Sequence, residues 1–212
     1  MKINEIFRSI SGESINAGYL AIFIRAFSCN LRCSYCDSLY SVEGNGYTEM
    51  SVDEILDFIS QWTTKRVVFT GGEPLLQHDA KDLIFRLANE GYMVEVETNG
   101  AVALDSFLKS DSIIYTMDWK CPSSGMNKNM IAHNLELLRE NDVIKFVVSS
   151  EEDLNEAATI IPKTCAIPFI SPVFGKIEPK DIVYYMKYHN MDTARFQLQL
   201  HKYVWPIDMR GV

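Results

Sequence analysis

Six times along the chain an apolar run of strand length stops at a polar or glycine-bearing cluster, and segments of helical period separate most of these runs. The runs are 20–25, 66–70, 93–98, 112–118, 143–148 and 166–171, and helices are expected over 52–62, 79–90, 130–140, 151–160 and 179–190. Ser51-Val52-Asp53-Glu54 has the capping-box pattern ahead of Val52, Ile55, Leu56 and Ile59 at helical spacing. Gly91 stops the helix that turns Leu83, Ile84 and Leu87 inward. Strands that alternate with helices pair in parallel, because each helix is the right-handed crossover returning the chain to the same end of the sheet. The expectation is an α/β fold, an incomplete parallel β/α barrel of about six strands, since 212 residues fall short of the roughly 250 of an eight-fold barrel. No repeat, low-complexity tract or linker divides it, so residues 1–212 read as one domain. Residues 196–205 alternate before a polar cluster and are expected to form a last strand, with a short C-terminal extension folded back over the site.

Composition narrows the partners. With 47% apolar and 23% charged residues the chain is globular rather than disordered. A net charge of −8 with no basic run opposes the phosphate attraction behind nucleic-acid binding, so no nucleic-acid partner is expected. No apolar stretch reaches the length of a signal or membrane segment, so no membrane partner is expected. The five cysteines are odd in number and bunched, which suits metal ligation in a reducing compartment, and a cytoplasmic protein is the expectation.

Three of these thiols, Cys29, Cys33 and Cys36, lie on the loop that follows Arg25 at the end of the first run. Thiolates this close can turn inward on one soft metal centre. Three are one fewer than a structural zinc takes, and Cys121 and Cys165 lie in distant segments, where both read as small buried hydrophobes. A zinc completed from elsewhere, a disulfide and unligated thiols stand as alternatives; a [4Fe-4S] cluster on three cysteines leaves one iron open to a small molecule. Thr70-Gly71-Gly72-Glu73-Pro74 ends the next run. Glycine there lets a ligand approach the backbone, although most such pairs are plain turns. The C-x3-C-x2-C spacing together with this segment resembles the radical S-adenosylmethionine (SAM) superfamily, whose fold is a partial parallel β/α barrel.

The resemblance covers nearly the whole chain. Phe7-Arg-Ser-Ile-Ser-Gly-Glu13 ahead of Arg25, Asp37-Ser38, Lys120-Cys-Pro-Ser-Ser-Gly125 and the closing Gln199-Leu-His-Lys202 with Arg210-Gly-Val212 are similar to the branch whose members make 7-carboxy-7-deazaguanine. That resemblance implies a lyase of queuosine and deazapurine biosynthesis, which converts 6-carboxy-5,6,7,8-tetrahydropterin with loss of ammonia. It implies a [4Fe-4S] cluster, SAM and Mg2+ as cofactors, a flavodoxin- or ferredoxin-like reductant and a homodimer. The radical is carried by SAM, so no side chain is expected to act as acid, base or nucleophile.

Carried over residue by residue, Cys29, Cys33 and Cys36 ligate the cluster and Ser38 offers magnesium a hydroxyl. SAM falls to Tyr35, Cys36, Asp37, Gly72, Thr98, Asn99, Asp118, Trp119, Lys120, Ser171, Pro172, Val173 and Phe174. The substrate falls to the backbone of Ile10, Ser11 and Gly12, and to Arg25, Thr70, Glu97 and His201. Arg25 suits the pterin carboxylate, Glu97 the guanidine-like edge, and His201 closes that edge. Where the branch usually has Gln-Gly-Glu-Gly, this chain has Ser11-Gly12-Glu13-Ser14, so a backbone contact survives and a glutamine side-chain contact does not. A glycyl-radical-enzyme activase is a neighbouring reading, and an iron–sulfur carrier or zinc-stabilised binding module is one of another class. Arg25, Glu97 and His201 suggest a small polar heterocycle against the first, and the glycine-rich segment speaks against the second.

Overall fold

A computed structural model of the chain describes residues 1–107, 109–206 and 209–212. The six apolar runs become β2 (Leu20–Ala26), β4 (Arg66–Gly71), β5 (Met93–Thr98), β6 (Ile113–Asp118), β7 (Val143–Val148) and β8 (Ile167–Pro172), paired in parallel in chain order. The sheet is wider than expected. β1 (Lys2–Ile10) lies antiparallel on β2, β3 (Thr48–Glu49) pairs with β1, and β9 (Arg195–Phe196) runs parallel on β8. Among the described residues β3 and β9 are its edges, so the barrel stays open.

Each strand presents two chemistries. One face carries Ile22, Ile24, Val67, Phe69, Val94, Val96, Tyr115, Met117, Ile144, Phe146 and Val148, buried with the apolar stripes of the helices. Those helices are α1 (Val52–Ile59), α2 (Ala80–Asn89), α4 (Glu151–Ile160) and α5 (Pro179–Tyr188). The other face sets Glu5 opposite Arg25, Arg25 opposite Thr70, Glu97 opposite Thr116 and Asp118 opposite Lys145. A parallel sheet covered by helices on both sides reads as apolar throughout; this one is polar on its inner face, as a sheet wrapped around a polar ligand must be. No helix among the described residues is long and apolar enough to cross a membrane.

Two expected elements are shorter than the pattern suggested. The helix over 130–140 reduces to α3 (Asn134–Leu137). The buried Asn134 amide donates to Gly100 O and Val102 O, and Arg139 N donates to Asp142 Oδ2 at 2.8 Å, both pulling the chain away from helical bonding. The strand over 196–205 ends at Phe196 and gives way to α6 (His201–Val204). The Gln197 amide binds Ser14, accepting from Ser14 N at 2.6 Å and donating to Ser14 O at 2.9 Å, so the alternating tail forms a seam with the loop 11–19 rather than a ladder. The tail does fold back, since Leu200 N donates to Gly12 O at 3.0 Å.

Candidate active site

The cysteine loop leaves β2 at the carboxyl end of the parallel strands and is tied to its neighbours on both sides. Gly72 N donates to Ala26 O at 3.1 Å and Glu73 N to Ser28 O at 2.8 Å. A Cβ on Gly71 would collide with the Ala26 backbone, and one on Gly72 with Ser28 O. On that side the glycine pair is therefore required by protein packed against protein, so a ligand could approach it only from the other side. The Glu73 carboxylate, fully buried, accepts from Leu75 N at 3.0 Å, Thr98 Oγ1 at 3.0 Å and Asn99 N at 2.7 Å. Burial outweighs these bonds and pushes Glu73 up to about 7. Asn99 Nδ2 reaches on to Cys29 Sγ at 3.4 Å. On the far side Ser34 N donates to Ser124 O at 3.0 Å and the Tyr35 hydroxyl to Val147 O at 3.1 Å.

All three loop thiols are free and half-buried. Burial raises Cys29 and takes Cys33 up to about 11, so ligation there needs a metal charge to draw off the proton. Among the described residues no three His, Cys, Asp or Glu side chains converge tightly enough for a single metal ion. Three free thiols on one loop are the donor set of a [4Fe-4S] cluster that keeps one iron open, one thiolate short of a structural zinc. Cys121 is buried as expected; Cys165 is exposed, a correction, and donates to Leu138 O at 3.2 Å.

Below the loop the inner face is a network of charge. Arg25 Nε donates to Glu5 Oε1 at 2.7 Å, and the Tyr40 hydroxyl donates to the same oxygen at 2.9 Å. The Arg25 guanidinium also lies over the Phe7 and Tyr40 rings, 5.8 and 5.9 Å from their centres, and among the described residues its terminal nitrogens make no hydrogen bond. Thr70 Oγ1 donates to Glu97 Oε2 at 2.7 Å. The loop 11–19 closes the floor: Asn16 Nδ2 donates to Glu95 Oε2 at 2.9 Å, Ser14 Oγ meets Thr116 Oγ1 at 2.9 Å, and Glu13 accepts from Lys145 and Gln199. Ser14 holds φ 64 there, a left-handed conformation that its hydroxyl bond helps to offset. Lys145 Nζ also lies 3.6 Å from Asp118 Oδ2, which Lys120 pairs at 2.8 Å. Burial would lower Lys145, but the carboxylates of Glu13, Asp118 and Glu97 raise it well above the usual lysine range.

Residues 24–149 match the Radical SAM superfamily. Over its full length the chain is 43% identical to the 7-carboxy-7-deazaguanine synthase of Clostridium acetobutylicum, covering 100% of this chain and 99% of that one. The chain belongs to the 7-carboxy-7-deazaguanine synthase family. The synthase of Methanospirillum hungatei is 44% identical over 96% of this chain and 85% of its own length. The crystal structure of QueE from Escherichia coli shares the fold, with a TM-score of 0.78, 22% identity and 94% of each chain covered.

Against this family site the expected residues divide. Arg25, Thr70, Glu97, Asp118 and Lys120 line the inner face of successive strands, and His201 packs on Gly12 at the seam. Asp118 Oδ1 and Ser171 Oγ are buried without a partner among the described residues, the condition of groups that a ligand satisfies. The Trp119 indole is buried in the helical layer with Nε1 directed to Glu156 Oε1 at 3.3 Å, so of this residue only the backbone is left to face a ligand. The Thr98 hydroxyl is likewise held by Glu73. Asp37 pairs with Lys202 at 2.9 Å, Phe174 stands exposed against Tyr203, and Ser11 N and O serve Tyr19 and Gly18. Ile10 ends β1, opposite Leu20 at the far end of the strands from the cysteine loop. Sequence reasoning quoted Glu13, Glu73 and Gln199 within motifs but gave them no role in the site, and passed over Glu5, Glu95 and Lys145. Lys145 had a signal, a lone charge within Val143-Ile-Lys-Phe-Val-Val, and Glu95 shares the strand parity of Glu97.

Proposed function

We infer that the chain is a radical SAM lyase that converts 6-carboxy-5,6,7,8-tetrahydropterin to 7-carboxy-7-deazaguanine with loss of ammonia. The observation that carries it is the placing, at one end of the parallel sheet, of a three-cysteine loop above an inner face whose charges match a carboxylated pterin. Substrate minus ammonia equals product, so the overall change is redox-neutral. Cluster and SAM supply the radical that starts the rearrangement.

The chain's own groups bind, orient and exclude water. Cys29, Cys33 and Cys36 hold the cluster, and Asn99 supports Cys29. Tyr35, Asp118, Lys120 and Ser171 hold SAM, with Gly72 and the 172–174 backbone beside them. Arg25, its Nε fixed by Glu5, offers its free terminal nitrogens to the pterin carboxylate as a planar fork. Glu97, steadied by Thr70, accepts from the guanidine-like edge. Burial lowers the His201 imidazole although Glu13 and Asp37 oppose this, so near neutral pH it works as a neutral donor and acceptor. Ser38 Oγ makes no cap bond to its own 3-10 turn and lies 3.9 Å from Cys36 Sγ beside the cluster loop, where it can offer Mg2+ an oxygen.

Residues 1–212 serve as one domain in the cytoplasm, one sheet running from Lys2 to Phe196. A flavodoxin- or ferredoxin-like reductant supplies electrons at the half-exposed cysteine loop, and a second copy covers exposed aromatics such as Tyr184 and Tyr188 of α5. The test is anaerobic reconstitution with iron and sulfide, then incubation with SAM, Mg2+, reductant and the tetrahydropterin. Mass spectrometry is expected to find the deazaguanine acid. SAM cleavage without that acid refutes the substrate, and a protein that takes up zinc and no iron refutes the whole reading.

A further inference from the structure

One buried carboxylate outside the site holds the cysteine loop through an unbroken series of hydrogen bonds. Asp153 lies in the first turn of α4 and is fully buried. Capping of that helix is already provided, since Ser150 Oγ accepts from Asp153 N at 3.3 Å. The Asp153 carboxylate instead accepts from Ser149 N at 2.7 Å and Ser149 Oγ at 3.3 Å, just past β7. It also accepts from Ser123 N at 2.9 Å and from Ser123 Oγ, in the turn 121–125 after β6. The carbonyls of that turn pass the connection on. Ser124 O accepts from Ser34 N at 3.0 Å and Ser123 O accepts from Ser34 Oγ at 2.6 Å. Ser34 stands directly after Cys33 and two residues before Cys36.

We propose that Asp153 is a positioning residue for the reaction: acting through Ser123 and Ser34, it sets where the Cys33–Cys36 arm stands relative to the inner face. The proposal rests on the cluster and SAM chemistry inferred above. Two backbone N–H groups and two hydroxyls converge on the two carboxylate oxygens, and bonds to a carboxylate are the stronger, more rigid ones. A cluster arm that shifts by a fraction of an ångström leaves SAM cleavage possible while spoiling its alignment with the pterin, so the consequence is uncoupling rather than inactivity.

The test uses the full chain reconstituted anaerobically as wild type, Asp153→Asn and Ser34→Ala. Asparagine keeps the volume but turns an amide donor toward groups that are themselves donors; Ser34 is exposed, so its truncation removes one bond at the far end of the series without touching the core. The readouts are iron content, the EPR spectrum of the reduced cluster with and without SAM, and 5'-deoxyadenosine formed per deazaguanine. Both variants are expected to hold iron, to show g-values shifted from wild type once SAM is added, and to release several-fold more 5'-deoxyadenosine per product, Asp153→Asn the more strongly. A role confined to bracing α4 would lower stability and leave the spectrum and the ratio alone; that result overturns the proposal. If Asp153→Asn fails to fold, a wild-type spectrum and ratio in Ser34→Ala overturn it by themselves. Wild type that forms no deazaguanine would instead remove the function on which the proposal rests.

Discussion

Replacing Lys145 by Met tests the inner face where it carries the most buried charge. The Lys145 side chain is 10% exposed and the Glu13 side chain it pairs with 8%. Met keeps the length and removes the ammonium, so packing is nearly preserved while the Glu13 carboxylate keeps the Gln199 hydrogen bond and the neighbouring His201. Stranding one member of a buried pair costs about 3–5 kcal/mol. Glu13 can escape by taking a proton, which for an ordinary glutamate at pH 7 costs about 3.5 kcal/mol, so the loss is expected near the lower end of that range. The pH dependence has a definite sign. Burial would raise Glu13, but Lys145 and His201 bring it below the usual glutamate range, so its contribution is present above that range and is lost as pH falls through the folded value. Without Lys145 the Glu13 pKa rises, and the gap between wild type and variant narrows toward acid by up to about 1.4 kcal/mol per pH unit. Urea unfolding of the cluster-free, reduced chain from about pH 5 to about pH 7 measures the gap, with Glu13→Gln and the double variant completing the cycle. The double variant strands no charge and is expected to recover most of the loss. A gap under about 1 kcal/mol at neutral pH, or one that widens toward acid, refutes the reasoning.

Glu73, raised to about 7 by burial, holds its proton longer folded than unfolded, so its share of stability falls by about 3 kcal/mol as pH rises from about 4.5 to about 7; Glu73→Gln is expected to flatten that slope in the same unfolding assay. Arg25→Lys removes the planar fork and is expected to raise the KM for the tetrahydropterin about tenfold while SAM affinity, read by equilibrium binding, stays put; the reverse pattern would assign Arg25 to SAM. Alanine at Cys29, Cys33 or Cys36 is expected to abolish iron retention and SAM cleavage, measured by iron analysis and chromatography. Ser38→Ala is expected to lose the response of turnover to added Mg2+, and an unchanged titration would place the ion elsewhere.

The six parallel strands could be read before any coordinate because their pattern is local: apolar runs, helical stripes and punctuating glycines are short-range signals that packing here reinforces. Met93-Val-Glu-Val-Glu-Thr98 even carries the polar inner face in its alternation, and the thiol spacing lies within a single loop. Strand parity was also present in the sequence and shows why Trp119 points away from the site that Asp118 and Lys120 face. Other features depended on where distant segments meet. The tail alternates like a strand, yet whether alternation builds a ladder or a seam depends on the partner, and its glutamines found the loop 11–19. That the Cβ side of Gly71 and Gly72 is filled depends on the Ala26–Ser28 backbone lying against them. Glu13 and Lys145 are 132 residues apart in the chain, and no property of either predicts the other. Strand and helix are set by neighbours a few residues away, whereas the pairing of buried charges is set by which distant segments the topology of the open sheet brings together, and only there does leaving water require each charge to find its opposite.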